Sequence, residues 1–299
     1  MPGPIAMDER ALERDLSVRA VVGRAIELLG VAGIRSPEVD AELLVGHAIG
    51  ETRGRVQALA IMGRELPADA VDVIEQLVSR RAHREPLQHI TGRAAFRTLE
   101  LSVGPGVFVP RPETELVAQF AIDALAAVAA AEPIAVDLGT GSGALALAMA
   151  AEVPRARVWG VEFSPEAFIW ATQNLRDTGF GNASIVFDDL RRALPELDGS
   201  VSVVVSNPPY IPSDAVPRDP EVRLFDPEMA LYGGEDGLDL VRGVSATALR
   251  LLHPGGALVI EHGELQGEAI RALLRTDGWR AVSTHPDLTG RPRATTAVR

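Results

Sequence analysis

A chain of 299 residues, 46% hydrophobic and 23% charged, has enough apolar material for one large core or two ordinary ones. Its formal charge of -12 sets it against tight nonspecific binding to a phosphate backbone, and the absence of cysteine excludes disulfides and thiolate metal sites. No run reaches the roughly 18 apolar residues of a membrane span, since the alanine-rich stretch 118–131 is broken by Gln119 and Asp123. The opening "MPGPIAMDERALERD" carries acids early and lacks a signal-peptide core, which predicts a cytoplasmic protein.

Residues from about 8 to 82 read as helices. "SVRAVVGRAIELLG" has helical spacing and is expected to end at Gly30 as a C-cap. "SPEVDAELLVGHAIG" begins with Ser36 as N-cap and Pro37 at the first helical position, and "PADAVDVIEQLVSRRAHR" is a third amphipathic run. No catalytic cluster falls in this part, so residues 1–84 are expected to form a small all-helical domain. Residues 85–112 mix β-branched and aromatic residues with glycine turns, which predicts a β-hairpin connector. From 113 to 299, helical runs alternate with the strands "PIAVDLG", "ARVWGVEFS", "ASIVFDD", "VSVVVSN" and "GALVIEHG", followed by weaker ones at "RAVSTH" and "ATTAVR". That alternation predicts an α/β fold with a mostly parallel, doubly wound, Rossmann-like sheet.

"VDLGTGSGALALAMA" is a strand, a glycine-rich turn and a helix. Gly139, Gly141 and Gly143, with Thr140 and Ser142 between them, let the backbone turn tightly and approach a ligand. Glu162 ends the next strand about 20 residues on, where an acid accepts hydrogen bonds from ribose hydroxyls. The loop departs from the dinucleotide spacing, and Asp137 stands two residues ahead of it. A pyrophosphate favours a bare helix N-terminus, whereas an acid beside the loop suits a ligand carrying an ammonium group. "DLGTGSG" resembles the S-adenosylmethionine loop of class I methyltransferases. By that resemblance Asp137 and the loop surround the methionine portion, Glu162 binds the ribose, and Asp189 and Leu190 flank adenine, with Asp188 the alternative to Asp189.

The fourth strand ends in "SNPPYIP". Two successive prolines cannot donate ladder hydrogen bonds, so the strand stops there. "NPPY" resembles the active-site motif of methyltransferases acting on planar nitrogen. Such a nitrogen is a poor nucleophile and must be held in line with the methyl donor, with acceptors aimed at its N–H bonds. Asn207 offers a side-chain oxygen, Pro208 a backbone carbonyl and Tyr210 a flat ring. Pro209 completes the substrate-binding turn, and Asn207 also borders the cofactor. Together with "PLQHITGRAAF", "VFVPRPETE", "DPEMALYGGEDGLD" and "LVIEHGELQG", these motifs are similar to the HemK/PrmC-type release factor glutamine methyltransferases.

The resemblance implies S-adenosylmethionine as cofactor and the GGQ glutamine of peptide chain release factors as substrate. It implies a release-factor docking role for the helical domain; no metal, no direct nucleic-acid binding, no membrane association and a monomer are expected. Arg111, Glu113 and Thr114 resemble the segment that lies over the active site. Phe108 is expected in packing, and His262 is expected as a satisfied strand-end histidine. Glu162 replaces the more usual Asp, and no aromatic stands beside Leu190. The rival substrates are a glutamine of a ribosomal protein and an amino group of a nucleic-acid base, the latter disfavoured by the acidic balance.

Overall fold

The computed structural model describes residues 15–299, so the helical reading of 8–14 lies outside the described residues. The chain divides into two compact units, Met1–Thr91 and Gly92–Arg299.

The first unit is helical: α1 (Val18–Val31), α2 (Pro37–Ile49), α3 (Arg53–Ile61), α4 (Ala68–Ala82) and the short α5 (Leu87–Thr91). Ser17 and Thr52 accept the backbone N–H groups of Ala20 and Arg55, capping α1 and α3. Ser36 and Pro37 open α2 as expected, although the Ser36 hydroxyl makes no capping bond. Gly30 does not end α1. The helix runs on to Val31, and the left-handed turn falls at Gly33, with φ +72°. Helix α3 escapes the periodicity because only Val56 of its residues is buried. The core gathers Leu29, Leu44, Val45, Val71 and Ile74. Within it, buried Arg81 donates from Nε to Asp40 at 2.7 Å.

In the second unit, β1 (Arg93–Phe96) and β2 (Leu99–Ser102) form an antiparallel hairpin. It is shorter than the predicted connector, whose first residues belong to α5. The hairpin turns at Arg97, φ +52°, whose guanidinium is held by Glu152, Gln119 at 2.9 Å and the Glu115 carbonyl at 3.2 Å. A loop from Val103 to Glu113, turning at Gly106 with φ +87°, follows. Then come α6 (Thr114–Ala126), β3 (Ile134–Leu138), α7 (Ala144–Glu152), β4 (Arg157–Glu162), α8 (Pro165–Thr178), β5 (Ala183–Phe187) and β6 (Val201–Ser206). After β6 lie α9 (Pro220–Phe225), α10 (Glu228–Leu231), α11 (Asp239–Leu251), β7 (Leu252–Glu261), α12 (Gly267–Thr276), β8 (Arg280–Pro286) and β9 (Pro292–Val298).

The large sheet has the order β5-β4-β3-β6-β7-β9-β8. Its first five strands are parallel, and β9 inserts antiparallel between β7 and β8. Alternate residues feed two cores. Ala135, Val203 and Val205 meet Val117, Leu125 and Met149 on one face. Val136, Leu138 and Val204 meet Val241, Leu251 and Ile270 on the other. Burial on both faces explains the unbroken apolar run "VSVVV". The strand order reverses between β3 and β6, and a doubly wound sheet opens its ligand crevice beyond the carboxyl ends at that point.

Removing Asp40 takes the buried carboxylate away from the Arg81 guanidinium, which keeps its bond to the Glu85 carbonyl at 3.0 Å. Asp40→Ala should destabilise the first unit by roughly 3–5 kcal/mol. Urea denaturation followed by far-ultraviolet circular dichroism measures the loss.

Candidate active site

The carboxyl end of β3 leads straight into the glycine turn. Gly139, Gly141 and Gly143 adopt φ +77°, +57° and +87°, a region that other residues enter only under strain. Two amides of the turn, Gly139 and Thr140, both donate to the Val161 carbonyl at 2.9 Å, stitching it to β4. Glu162 completes the stitching. Its Oε2 accepts the Gly141 amide at 2.8 Å, and Oε1 accepts those of Phe163 at 2.9 Å and Ser164 at 2.7 Å. Burial pushes this carboxyl up, and the three backbone donors pull it back. A carboxylate offers about four lone-pair sites, so Glu162 retains capacity for a ligand hydroxyl. On the far side of the turn, buried Asn174 of α8 donates to the carbonyls of Ser142 and Ser102, both at 2.9 Å, joining loop and hairpin.

Asp137 lies one layer deeper than expected. It is fully buried, and its Oδ2 accepts the Thr140 hydroxyl at 2.5 Å and the Ala146 amide at 3.2 Å. It therefore fastens the turn to the first turn of α7 from beneath and does not line the cavity. Its Oδ1 is buried without a partner, and burial raises the carboxyl to about 7.

The corner after β6 is braced from three directions. The Ser206 hydroxyl donates to the Leu138 carbonyl at 2.6 Å, tying the end of β6 to that of β3. Gln266 donates from Nε2 to the Tyr210 carbonyl at 2.8 Å. The "LYGGEDG" segment presses on the corner backbone, with Ile211 donating to the Leu231 carbonyl and Gly233 to that of Ile211. A Cβ on Gly233 would lie 2.4 Å from the Pro209 carbonyl oxygen, and one on Gly237 would lie 2.4 Å from that of Tyr210. Only glycine permits so close an approach.

Loop and corner share one cavity of about 940 Å³. Gly139, Thr140, Gly141 and Ser142 line one part, with Glu162, Asp188, Asp189 and Leu190, while Asn207, Pro209 and Tyr210 line another. Gly143, at the head of α7, is not on the wall, and Pro208 is buried behind it. Asp188 and Asp189 both face the cavity. Asp188 accepts from Arg192 Nε at 3.1 Å, and Asp189 accepts the Arg191 amide at 2.9 Å, so the geometry does not choose between them. Phe108 lines the cavity under the Arg111 guanidinium, 5.0 Å from its ring centroid, and Arg111 pairs with buried Asp226 at 2.7 Å. His262 is buried and satisfied, its Nδ1 against the Gly263 carbonyl at 2.8 Å and its Nε2 against Thr295 Oγ1 at 2.9 Å.

Three wall residues escaped the sequence reading. Phe163 stacks on Phe187 with centroids 6.4 Å apart and supplies an aromatic wall beside Glu162. Glu261, buried, and Arg293, half-buried, bring two charged groups to the corner. The available signal was an acid at the end of the strand next to "NPPY", one residue before His262.

This donor set fits S-adenosylmethionine. Three acids along one wall suit hydroxyls, an amine and a cationic centre and oppose a pyrophosphate. The exposed loop backbone and the Phe163 and Leu190 side chains suit the rest of the molecule. Fold and site place the second unit among the class I S-adenosylmethionine-dependent methyltransferases.

A family model described as the PrmC N-terminal domain matches residues 20–92, and one described as a methyltransferase domain matches 132–284. The release factor glutamine methyltransferase of Streptomyces coelicolor is 49% identical over 93% of this chain and 96% of its own. That of Bifidobacterium longum is 45% identical over 93% and 98%. The chain belongs to the release factor glutamine methyltransferase family. A 4-amino-L-phenylalanine/4-methylamino-L-phenylalanine methyltransferase of Streptomyces pristinaespiralis is 46% identical over 70% of this chain and 72% of its own. Among solved structures, the T. thermophilus 16S rRNA methyltransferase RsmC, in complex with AdoMet and guanosine, aligns with TM-score 0.51 at 21% identity. That alignment covers 69% of this chain and 49% of that one, and it shows the shared fold.

Because burial raises the Asp137 carboxyl from 3.8 to about 7, its favourable contribution is fully present below pH 3.8 and is lost as pH rises through about 7. Asp137→Asn should flatten that part of the stability–pH curve, as read by thermal denaturation without added cofactor.

Proposed function

We propose that this chain methylates the side-chain amide nitrogen of the GGQ glutamine in class I peptide chain release factors. The observation that carries the reading is one cavity joining the glycine turn to a rigid corner bearing Asn207 and Tyr210. When bound, S-adenosylmethionine supplies an electrophilic methyl, so that an N–C bond forms as a C–S bond breaks and the nitrogen releases a proton. The residues of the corner act on the acceptor. Asn207 accepts an N–H of the carboxamide through Oδ1 and stabilises the positive charge developing on nitrogen. Tyr210 lies against the planar group and fixes its rotation. Burial raises the Tyr210 phenol to about 12, which keeps it neutral. Pro208 and Pro209 hold the corner before substrate arrives, so little ordering cost falls on binding. No strong base is required, because the nitrogen becomes acidic as it is methylated.

Asp137, Gly139, Thr140, Gly141, Ser142, Gly143 and Glu162 form or hold the cofactor loop in this reading, with Asp189 and Leu190 beside adenine. The helical unit docks the release factor, and the protein works as a cytoplasmic monomer without binding nucleic acid directly. Among the described residues, no helix is long and apolar enough to cross a membrane.

Tritiated S-adenosylmethionine should label a purified release factor, and Gln→Ala in its GGQ loop should abolish the label. Equal labelling of that mutant would refute the target. Labelling of a ribosomal protein, or of free 4-aminophenylalanine, in place of the release factor would favour those substrates. Asn207→Ala should lower kcat by about 10²-fold or more with cofactor affinity retained, as when a transition-state partner is lost. Single-turnover rates and calorimetry separate the two effects.

A further inference from the structure

Asn207 is useful only in one of its two amide orientations. With Oδ1 toward the cavity it accepts the substrate N–H. Flipped, it presents a donor to a donor. Something must decide between two shapes that are almost identical.

The neighbouring strand supplies the means. Ser206 pairs with Ile260 across β6 and β7, so Asn207 and Glu261 leave adjacent parallel strands side by side. Glu261 is buried and lines the cavity, and its Oε2 has no partner. Thr114 and Asn207 are the side-chain donors that pull its carboxyl down against burial. Thr114 itself is buried at the start of α6, with Oγ1 3.4 Å from Asn207 Nδ2. Donor accounting then fixes the direction. An ionised carboxylate only accepts, so any hydrogen bond between the two must be donated by the single Thr114 hydroxyl proton. What Thr114 has left for Asn207 is a lone pair, which only the amide nitrogen can satisfy.

We propose that Glu261, acting through Thr114, is a positioning residue that holds the Asn207 amide nitrogen away from the cavity and its oxygen toward the substrate nitrogen. The proposal rests on the reading of Asn207 given above. Protonated, Glu261 becomes a donor, the Thr114 hydroxyl is free to turn, and the amide loses its preferred orientation. The charged and titratable groups facing Glu261 are Glu113 ahead of α6, Tyr210 after β6 and Arg293 on β9. Asp287, 3.9 Å from Arg293, stands behind that residue, and His262 turns away to Thr295. Burial raises Glu261 to about 7, against the pull of Thr114 and Arg293. The productive orientation is therefore lost as pH falls through about 7, and kcat/KM falls with it.

The test compares wild type, Glu261→Gln, Thr114→Ser and Thr114→Val on a purified release factor. Glu261→Gln should lower kcat on the order of 10²-fold and lose the acid limb near pH 7, with calorimetric cofactor affinity unchanged. Thr114→Ser should retain most activity, whereas Thr114→Val should fall with Glu261→Gln. Independently of turnover, ¹⁵N spectra should show the Asn207 side-chain amide protons exchanging slowly in wild type and fast in Thr114→Val. The signal is assigned by its absence in Asn207→Ala. A Glu261→Gln enzyme keeping both rate and acid limb, equal turnover of the two Thr114 variants, or unprotected Asn207 amide protons in wild type would each overturn the proposal. A wild type that protects those protons yet labels no release factor would refute the proposed substrate and leave the positioning of Asn207 supported.

Discussion

The structure depends on the contact between backbone and backbone at the corner after β6. Two carbonyl oxygens, of Pro209 and Tyr210, sit where no side chain could intervene, against Gly233 and Gly237. That closeness lets the segment after the corner fold back and hydrogen-bond to it at Ile211 and Gly233. Two prolines alone would stiffen φ and leave the corner free to swing as a body. The returning segment and Gln266 remove that freedom, and the Ser206–Leu138 bond sets the corner against the end of β3. An acceptor for a weakly nucleophilic nitrogen gains most from being placed in advance, since reorganisation during reaction is then avoided.

The cofactor side is built by a different logic. There buried acids hold the turn. Glu162 holds three backbone amides of the turn and of the start of α8, and Asp137 fastens the same turn from beneath. Their burial raises both carboxyls, a penalty accepted where the amide and hydroxyl donors of the loop would otherwise lack acceptors. A wall of carboxylates also discriminates among ligands: it welcomes hydroxyls and cationic centres and repels phosphates. The two halves of the cavity thus differ in kind, one held by carboxylates accepting backbone amides, the other by backbone packed on backbone.

The release factor glutamine methyltransferase of Streptomyces coelicolor matches over nearly the whole of this chain, and the aminophenylalanine methyltransferase over 70% of it. In the proposed reading the corner takes a flat N–H-bearing group, and what brings the right group there lies outside the corner. The first unit, whose sequence carries no catalytic cluster, matches its own family model.

The strands, the glycine turn, Glu162 and the "NPPY" corner were legible in the sequence, because each is written in a few contiguous residues whose backbone needs are local. Proline ends a strand, and glycine can take positive φ without the strain other residues meet there. Other features were decided only by tertiary structure. Asp137 sits beneath the loop because β3 is buried on both faces, and Pro208 lies behind the cavity wall. Gly33 instead of Gly30 takes the left-handed turn after α1. Glu261 and Arg293 reach the corner because β7 pairs with β6 and β9 inserts beside β7. Strand pairing joins residues dozens of positions apart, and no local propensity records which strand will be the neighbour.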